Sequence, residues 1–130
     1  AHVGDSRCYR LRGGTLDQVT DDHTWVARAM RSGDLTAEQA KNHPWRHVLS
    51  KCLGRKDINA EQIDVNKLDI QVGDRLLLCS DGLSEEVPDD QINELLSQSD
   101  TNKIITQLIQ TAKDNGGKDN ITVVIAEIAS

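Results

Sequence analysis

Apolar residues follow changing rhythms along this chain, and each change marks an element. Val3, Tyr9 and Leu11 stand among arginines over residues 1–12, as in a strand. Gly13-Gly14 is a hairpin signal, and Leu16-Asp17-Gln18-Val19 reads as the return strand. From Thr24 the period lengthens: Val26, Ala29 and Met30 recur at helical spacing, and Gly33 ends the run. Thr36-Ala37-Glu38-Gln39 has the form of a capping box and opens a short helix. Asn42-His43-Pro44 stops it, because the residue before a proline disfavours helical backbone. Residues 45–53 fit neither period and close at Gly54.

In the second half, Ile63, Val65, Leu68 and Ile70 alternate with a slip, which predicts two short strands or one bulged strand. Val72-Gly73-Asp74 is a turn. The unbroken run RLLLC at 75–79 predicts a strand buried on both faces. Asp81-Gly82 then reads as the sharp turn that ends it, with Glu85 and Glu86 as solvated lead-in to the next element. Pro88-Asp89-Asp90 opens a helix with Ile92, Leu95 and Leu96 as its buried stripe. A second helix runs near 102–114, with Ile104, Ile105, Leu108 and Ile109 inward and Gly116-Gly117 as its cap. Residues 120–128, NITVVIAEI, form a β-branched last strand. Strands joined by hairpins or long excursions predict an α+β class, with a largely antiparallel sheet and helices packed on it.

Composition narrows the function. Hydrophobic residues are 37% of 130, with no Phe, one Tyr and two Trp, so the core is aliphatic. A net charge of -6 leaves no basic footprint and argues against nucleic-acid binding. No apolar run approaches the roughly 18 residues of a transmembrane helix, so no membrane role is expected. Cys8, Cys52 and Cys79 are odd in number and widely spaced, without a CxxC, which predicts reduced thiols and a cytoplasmic location. The opening AHVGDSRCYRLR lacks an initiator Met and is already strand-like, so a piece of a longer protein is expected.

Three acids stand at strand ends: Asp5 in VGDSR, Asp81 after the 75–79 run, and Asp119 in GGKDN before the last strand. Taken singly, each reads as a turn residue. If strands 75–79 and 121–128 are antiparallel neighbours, however, Asp81 and Asp119 share one edge of the sheet. Two carboxylates brought together repel unless a proton or cation lies between them, and oxygen ligands select hard cations such as Mg²⁺ or Mn²⁺. Other chemistries lack their residues. There is no Walker-type loop and no GxSxG elbow. Ser6 and Ser80 have no adjacent base, and Pro44 and Trp45 interrupt the His43–His47 spacing.

Four motifs, VGDSR (3–7), TDDHT (20–24), CSDGL (79–83) and KDNIT (118–122), occur in the order seen in the metal-dependent protein phosphatases, the PPM or type 2C serine/threonine family. Residues 31–54 also resemble the flap segment and following strand of bacterial members, giving a flap at about 24–46. The resemblance covers the whole chain and implies an antiparallel β-sandwich flanked by helices, with residues 1–130 as the C-terminal part of one catalytic domain.

It further implies a binuclear Mn²⁺ or Mg²⁺ centre with Asp81 and Asp119 as ligands. Asp5 is similar to the residue that helps the Asp of the DG motif hold a third metal. Asn120 and Gly82 support ligand geometry, and the TDDH segment, Asp21-Asp22-His23, is structural. Arg7 pairs with a carboxylate or packs. No residue attacks phosphorus: a metal-activated water hydrolyses a phosphoserine or phosphothreonine protein substrate, and a cognate Ser/Thr kinase runs the reverse reaction. The family's domain is about twice this length. Its first half carries a further metal-binding Asp-Gly and a phosphate-binding arginine, so this chain alone is expected to be weak or inactive. A non-catalytic regulatory or metal-binding module is the alternative.

Overall fold

The rhythms resolve, in a computed structural model that describes residues 1–130, into four strands and five α-helices. In order these are β1 (Arg7–Arg12), β2 (Thr15–Gln18), α1 (Trp25–Ser32), α2 (Ala37–Lys41), β3 (Arg75–Cys79), α3 (Asp81–Ser84), α4 (Asp89–Leu96), α5 (Thr101–Asp114) and β4 (Val123–Glu127). The chain divides into two units, Ala1–Asp5 with Asp21–Lys67, and Ser6–Thr20 with Leu68–Ser130.

The second unit contains the sheet. Its order is β2-β1-β3-β4 and every pair is antiparallel. Tyr9, Leu77 and Ile125 face one another across β1, β3 and β4. Tyr9, Leu11, Leu77 and Cys79 form one wall of the core, and Leu83, Val87, Ile92, Leu96, Ile104, Leu108 and Ala112 from the helical segments close it. β3 is therefore not buried on both faces. Leu78 is 46% exposed and its neighbour Val124 is 55% exposed, so the strand alternates, and its three leucines conceal the period. α5 begins a residue earlier than the apolar stripe predicts, because the Asp100 carboxylate accepts from the Asn102 and Lys103 amides. Asp74, buried in the turn before β3, accepts two bonds from Arg12 at 2.7 and 2.6 Å and one from the Gln71 amide at 2.8 Å. The Arg12 guanidinium holds its carboxyl at about 2.

The first unit contains α1, α2 and a 3-10 turn at Ala60–Gln62. Thr24 caps α1 and Gly33 ends it in left-handed backbone at φ 83°. The expected capping box of α2 is present, with Thr36 and Gln39 bonding reciprocally. The alternation at 63–70 forms no strand. Asp64 alone bridges, to His2, while Val65 and Ile70 are 79% and 53% exposed. An alternating pattern needs a neighbouring strand to become sheet, and these residues have none.

Candidate metal centre

The antiparallel pairing of β3 with β4 continues past its last register pair, Cys79 with Val123, through one side chain. The Ser80 amide donates to the Thr122 carbonyl at 3.0 Å. Its hydroxyl donates to the Asn120 carbonyl at 3.1 Å and accepts from the Thr122 amide at 3.0 Å. Ser80 thus fastens the end of one strand to the approach of the other. Asp81 follows it directly, and Asp119 precedes Asn120 directly, so both acids stand at this end of the sheet.

Asp81-Gly82 is not the sharp turn expected. Both residues open α3, with Ser80 as its N-cap. Gly82 has no positive φ; it is buried, and a Cβ there would lie 2.3 Å from the Asn120 carbonyl oxygen. A contact that short leaves room for no side chain. The Asp119 carboxylate is exposed and accepts from the Asn120 amide at 2.7 Å. Asn120 therefore supports the junction through its backbone.

Glu86 is not solvated either. Its side chain is only 6% exposed and pairs with Lys118 at 3.3 Å, while its carbonyl accepts from Asn115 at 2.8 Å. A Cβ on Gly116 would lie 2.7 Å from Glu86 Oε2. Glu86 thereby anchors the loop that delivers Asp119. A glutamate three residues before the helix gives no sign of this in sequence, because its partner is contributed by a distant loop.

Asp5 belongs to the other unit, where the residue before it is held at two points. The His23 amide donates to the Gly4 carbonyl at 2.8 Å, and the Gly4 amide donates to His23 Nδ1 at 3.1 Å. His23, 1% exposed, meets Asp64 through Nε2 at 2.8 Å, and Lys51 approaches the other Asp64 oxygen at 3.2 Å. These bonds, His23 first, hold the Asp64 carboxyl below its ordinary range. Ligand atoms of His2, His23 and Asp64 lie within 4.8 Å of one another. The cluster is nevertheless not a cation site. Nδ1 must be unprotonated to accept from Gly4, so the proton sits on Nε2 and points at Asp64, leaving the His23 ring no lone pair for a metal.

Arg7 packs as expected, donating to the Tyr9 hydroxyl at 2.8 Å, which donates to Asp89 at 3.0 Å. Burial raises the Tyr9 pKa. His43 stacks on Trp25 at 4.9 Å between ring centroids and accepts from the Trp45 amide, so it is engaged in packing.

Comparison with known proteins places the chain. Residues 8–129 match the family model described as Stage II sporulation protein E (SpoIIE). The chain belongs to this family, within the metal-dependent PPM protein phosphatases. It is 39% identical over 98% of its length to the serine/threonine protein phosphatase PstP of Mycobacterium tuberculosis, and covers 24% of that protein. It is also 39% identical over 98% of its length to the serine/threonine phosphatase stp of Listeria welshimeri, covering 50% of it. The solved catalytic domain of PstP in complex with two manganese ions superposes with a TM-score of 0.87 at 36% identity, over 99% of this chain and 52% of that one. The chain spans about half the length of that catalytic domain and of the Listeria relative.

In this PPM family member the four motifs occupy defined places. GDSR leads into β1, DDH precedes α1, SDG joins β3 to α3, and KDN leads into β4. The donors at the β3–β4 junction are all oxygen and fit a hard divalent cation. Their number is small: two carboxylates would leave most of two six-coordinate shells to water or to other ligands. Sequence patterning identified none of the supporting residues Ser80, Glu86, Lys118, Lys51 and Asp64.

Proposed function

We propose that this chain is the C-terminal part of a phosphatase catalytic domain that hydrolyses phosphoserine and phosphothreonine in proteins. The observation that carries this is the fastening of the Asp81 and Asp119 segments by Ser80 at one end of the sheet, in a chain similar to manganese-bound PstP. Asp81 and Asp119 would hold Mn²⁺ or Mg²⁺, Asp5 a third ion, and Gly82 and Asn120 would keep the carboxylate-bearing segments in contact. Bound cations would supply charge neutralisation at the phosphate and an acidified water.

The protein's own part is to place the carboxylates. Ser80 is spent on two hydrogen bonds of its own, so it serves as a brace and not as a nucleophile. The segment at 24–46 would act in substrate choice, as loops over a rigid site commonly do. The substrate is a phosphoprotein, a cognate Ser/Thr kinase is the natural antagonist, and the setting is cytoplasmic. No helix is long and apolar enough to cross a membrane.

Because two carboxylates cannot fill a binuclear centre, this chain alone is weakly active or inactive and needs the half of the relatives' length that it does not span. The second reading, a non-catalytic metal-binding or regulatory module, is favoured by that same half-length coverage. Hydrolysis of an aryl phosphate and a phosphothreonine peptide, with Mn²⁺ and with or without the complementary half, separates the two. Manganese-dependent turnover that appears when both halves are present supports the enzyme, and its absence there refutes it.

A further inference from the structure

We propose that His23 is a positioning residue for Asp5: it fixes the backbone of Gly4 and thereby the direction in which the Asp5 carboxylate leaves the chain. The inference rests on the proposed role of Asp5 as a metal ligand. Gly4 has φ 113°, a conformation that side-chain-bearing residues rarely adopt, and nothing lies within 4 Å of where its Cβ would be. Gly4 is buried, but no side chain of its own fixes its conformation, and glycine is the residue with the greatest backbone freedom. Two hydrogen bonds set the direction of its peptide groups, and both are made with His23. Its amide takes the Gly4 carbonyl at 2.8 Å and its Nδ1 takes the Gly4 amide at 3.1 Å.

The ring itself is held from the far side. Nε2–H donates to Asp64 at 2.8 Å, Lys51 balances that carboxylate at 3.2 Å, and the Asp64 backbone exchanges bonds with His2 at 2.7 and 2.9 Å. The His23 carbonyl accepts from the Ser50 amide at 2.8 Å. The chain of contacts Lys51–Asp64–His23–Gly4 thus fixes both the tautomer and the plane of the imidazole. This is the arrangement by which outer partners orient a ligand, here acting through one peptide unit. It also gives the TDDH segment a definite role: His23 ends that segment's approach and Thr24 caps α1, so one short stretch starts the flap and braces the Asp5 loop.

Two substitutions divide the ring's functions. His23→Asn can present an oxygen near the position of Nδ1 and so keep an acceptor for the Gly4 amide. His23→Gln reaches toward Asp64 but leaves the Gly4 amide without its acceptor. The test is Mn²⁺ binding to the 130-residue chain, followed by calorimetry and by the Mn²⁺ spin-resonance signal, with Asp5→Asn defining the Asp5-dependent component. The Gly4 amide resonance is recorded alongside.

The expected result is a loss of roughly tenfold in that component for His23→Gln, with a shifted Gly4 amide, and a smaller loss for His23→Asn. His23→Gln added to Asp5→Asn should have no further effect on Mn²⁺. If His23→Gln melts below the assay temperature, Asp64→Asn weakens the same chain from its exposed end and should give an intermediate loss. Binding unchanged in the His23 and Asp64 variants, with Asp5→Asn still deficient, overturns the positioning role alone. Binding unchanged in Asp5→Asn overturns the ligand assignment and the positioning role with it.

Discussion

Replacing Gly82 with alanine has a sign that the structure determines and local propensity would get wrong. Gly82 sits in the first turn of α3 without a positive φ, where alanine is ordinarily the better residue by about 0.8–1 kcal/mol. That difference already contains the unfolded-state freedom that glycine loses on folding. Against this, the new Cβ would lie 2.3 Å from the Asn120 carbonyl oxygen and 2.9 Å from its carbon. Relief requires a shift of very roughly 1 Å, and the obstacle is backbone, which cannot rotate away.

Overpacking of this kind costs about 1–3 kcal/mol and outweighs the propensity gain over most of that range. Net destabilisation of about 1 kcal/mol, or a melting temperature lower by about 3–5 °C, is expected. The separation of the Asp81 and Asp119 segments should also weaken Mn²⁺ binding. Thermal melting and calorimetric titration of Gly82→Ala measure both. A variant that melts higher than the parent and binds Mn²⁺ equally would show that the two segments do not meet as described.

Three further outcomes follow from separate parts of the fold. Ser80→Ala removes both hydroxyl bonds to the Asn120–Thr122 segment and should cost about 1–2 kcal/mol in urea unfolding, with weaker Mn²⁺ binding. Asp74, held at about 2 in the fold against an ordinary 3.8, contributes stability that is full above about pH 4 and is lost as pH falls toward 2. Asp74→Asn should therefore flatten acid unfolding through that window and lower the melting temperature at neutral pH. Leu108→Ala, at a fully buried position of α5, should cost about 2–5 kcal/mol while leaving the first unit's His23–Gly4 bonds intact by amide resonance.

What could be read from the sequence was whatever is encoded locally. The Thr36–Gln39 box, the Gly33 cap and the period of α5 each depend on residues within a few positions, and each appears where expected. The run at 75–79 was legible as a strand but not as a one-sided one, because its three consecutive leucines erase the period that marks the exposed face. Residues 63–70 carry the period without a partner, so the pattern alone promised a strand that the fold does not make. At the site, Asp81 and Asp119 could be brought together once β3 and β4 were assumed adjacent. Their supports could not, since Glu86 reaches Lys118 and His23 reaches Asp64 across 32 and 41 positions that no local spacing records.

Calorimetric titration of Mn²⁺ into the parent chain, Asp81→Asn, Asp119→Asn and the double variant tests the metal centre most directly. Each single change should weaken binding at least tenfold, and the double change should add little, as expected of two ligands to one centre. Single variants that bind as the parent does would return both aspartates to the role of turn residues.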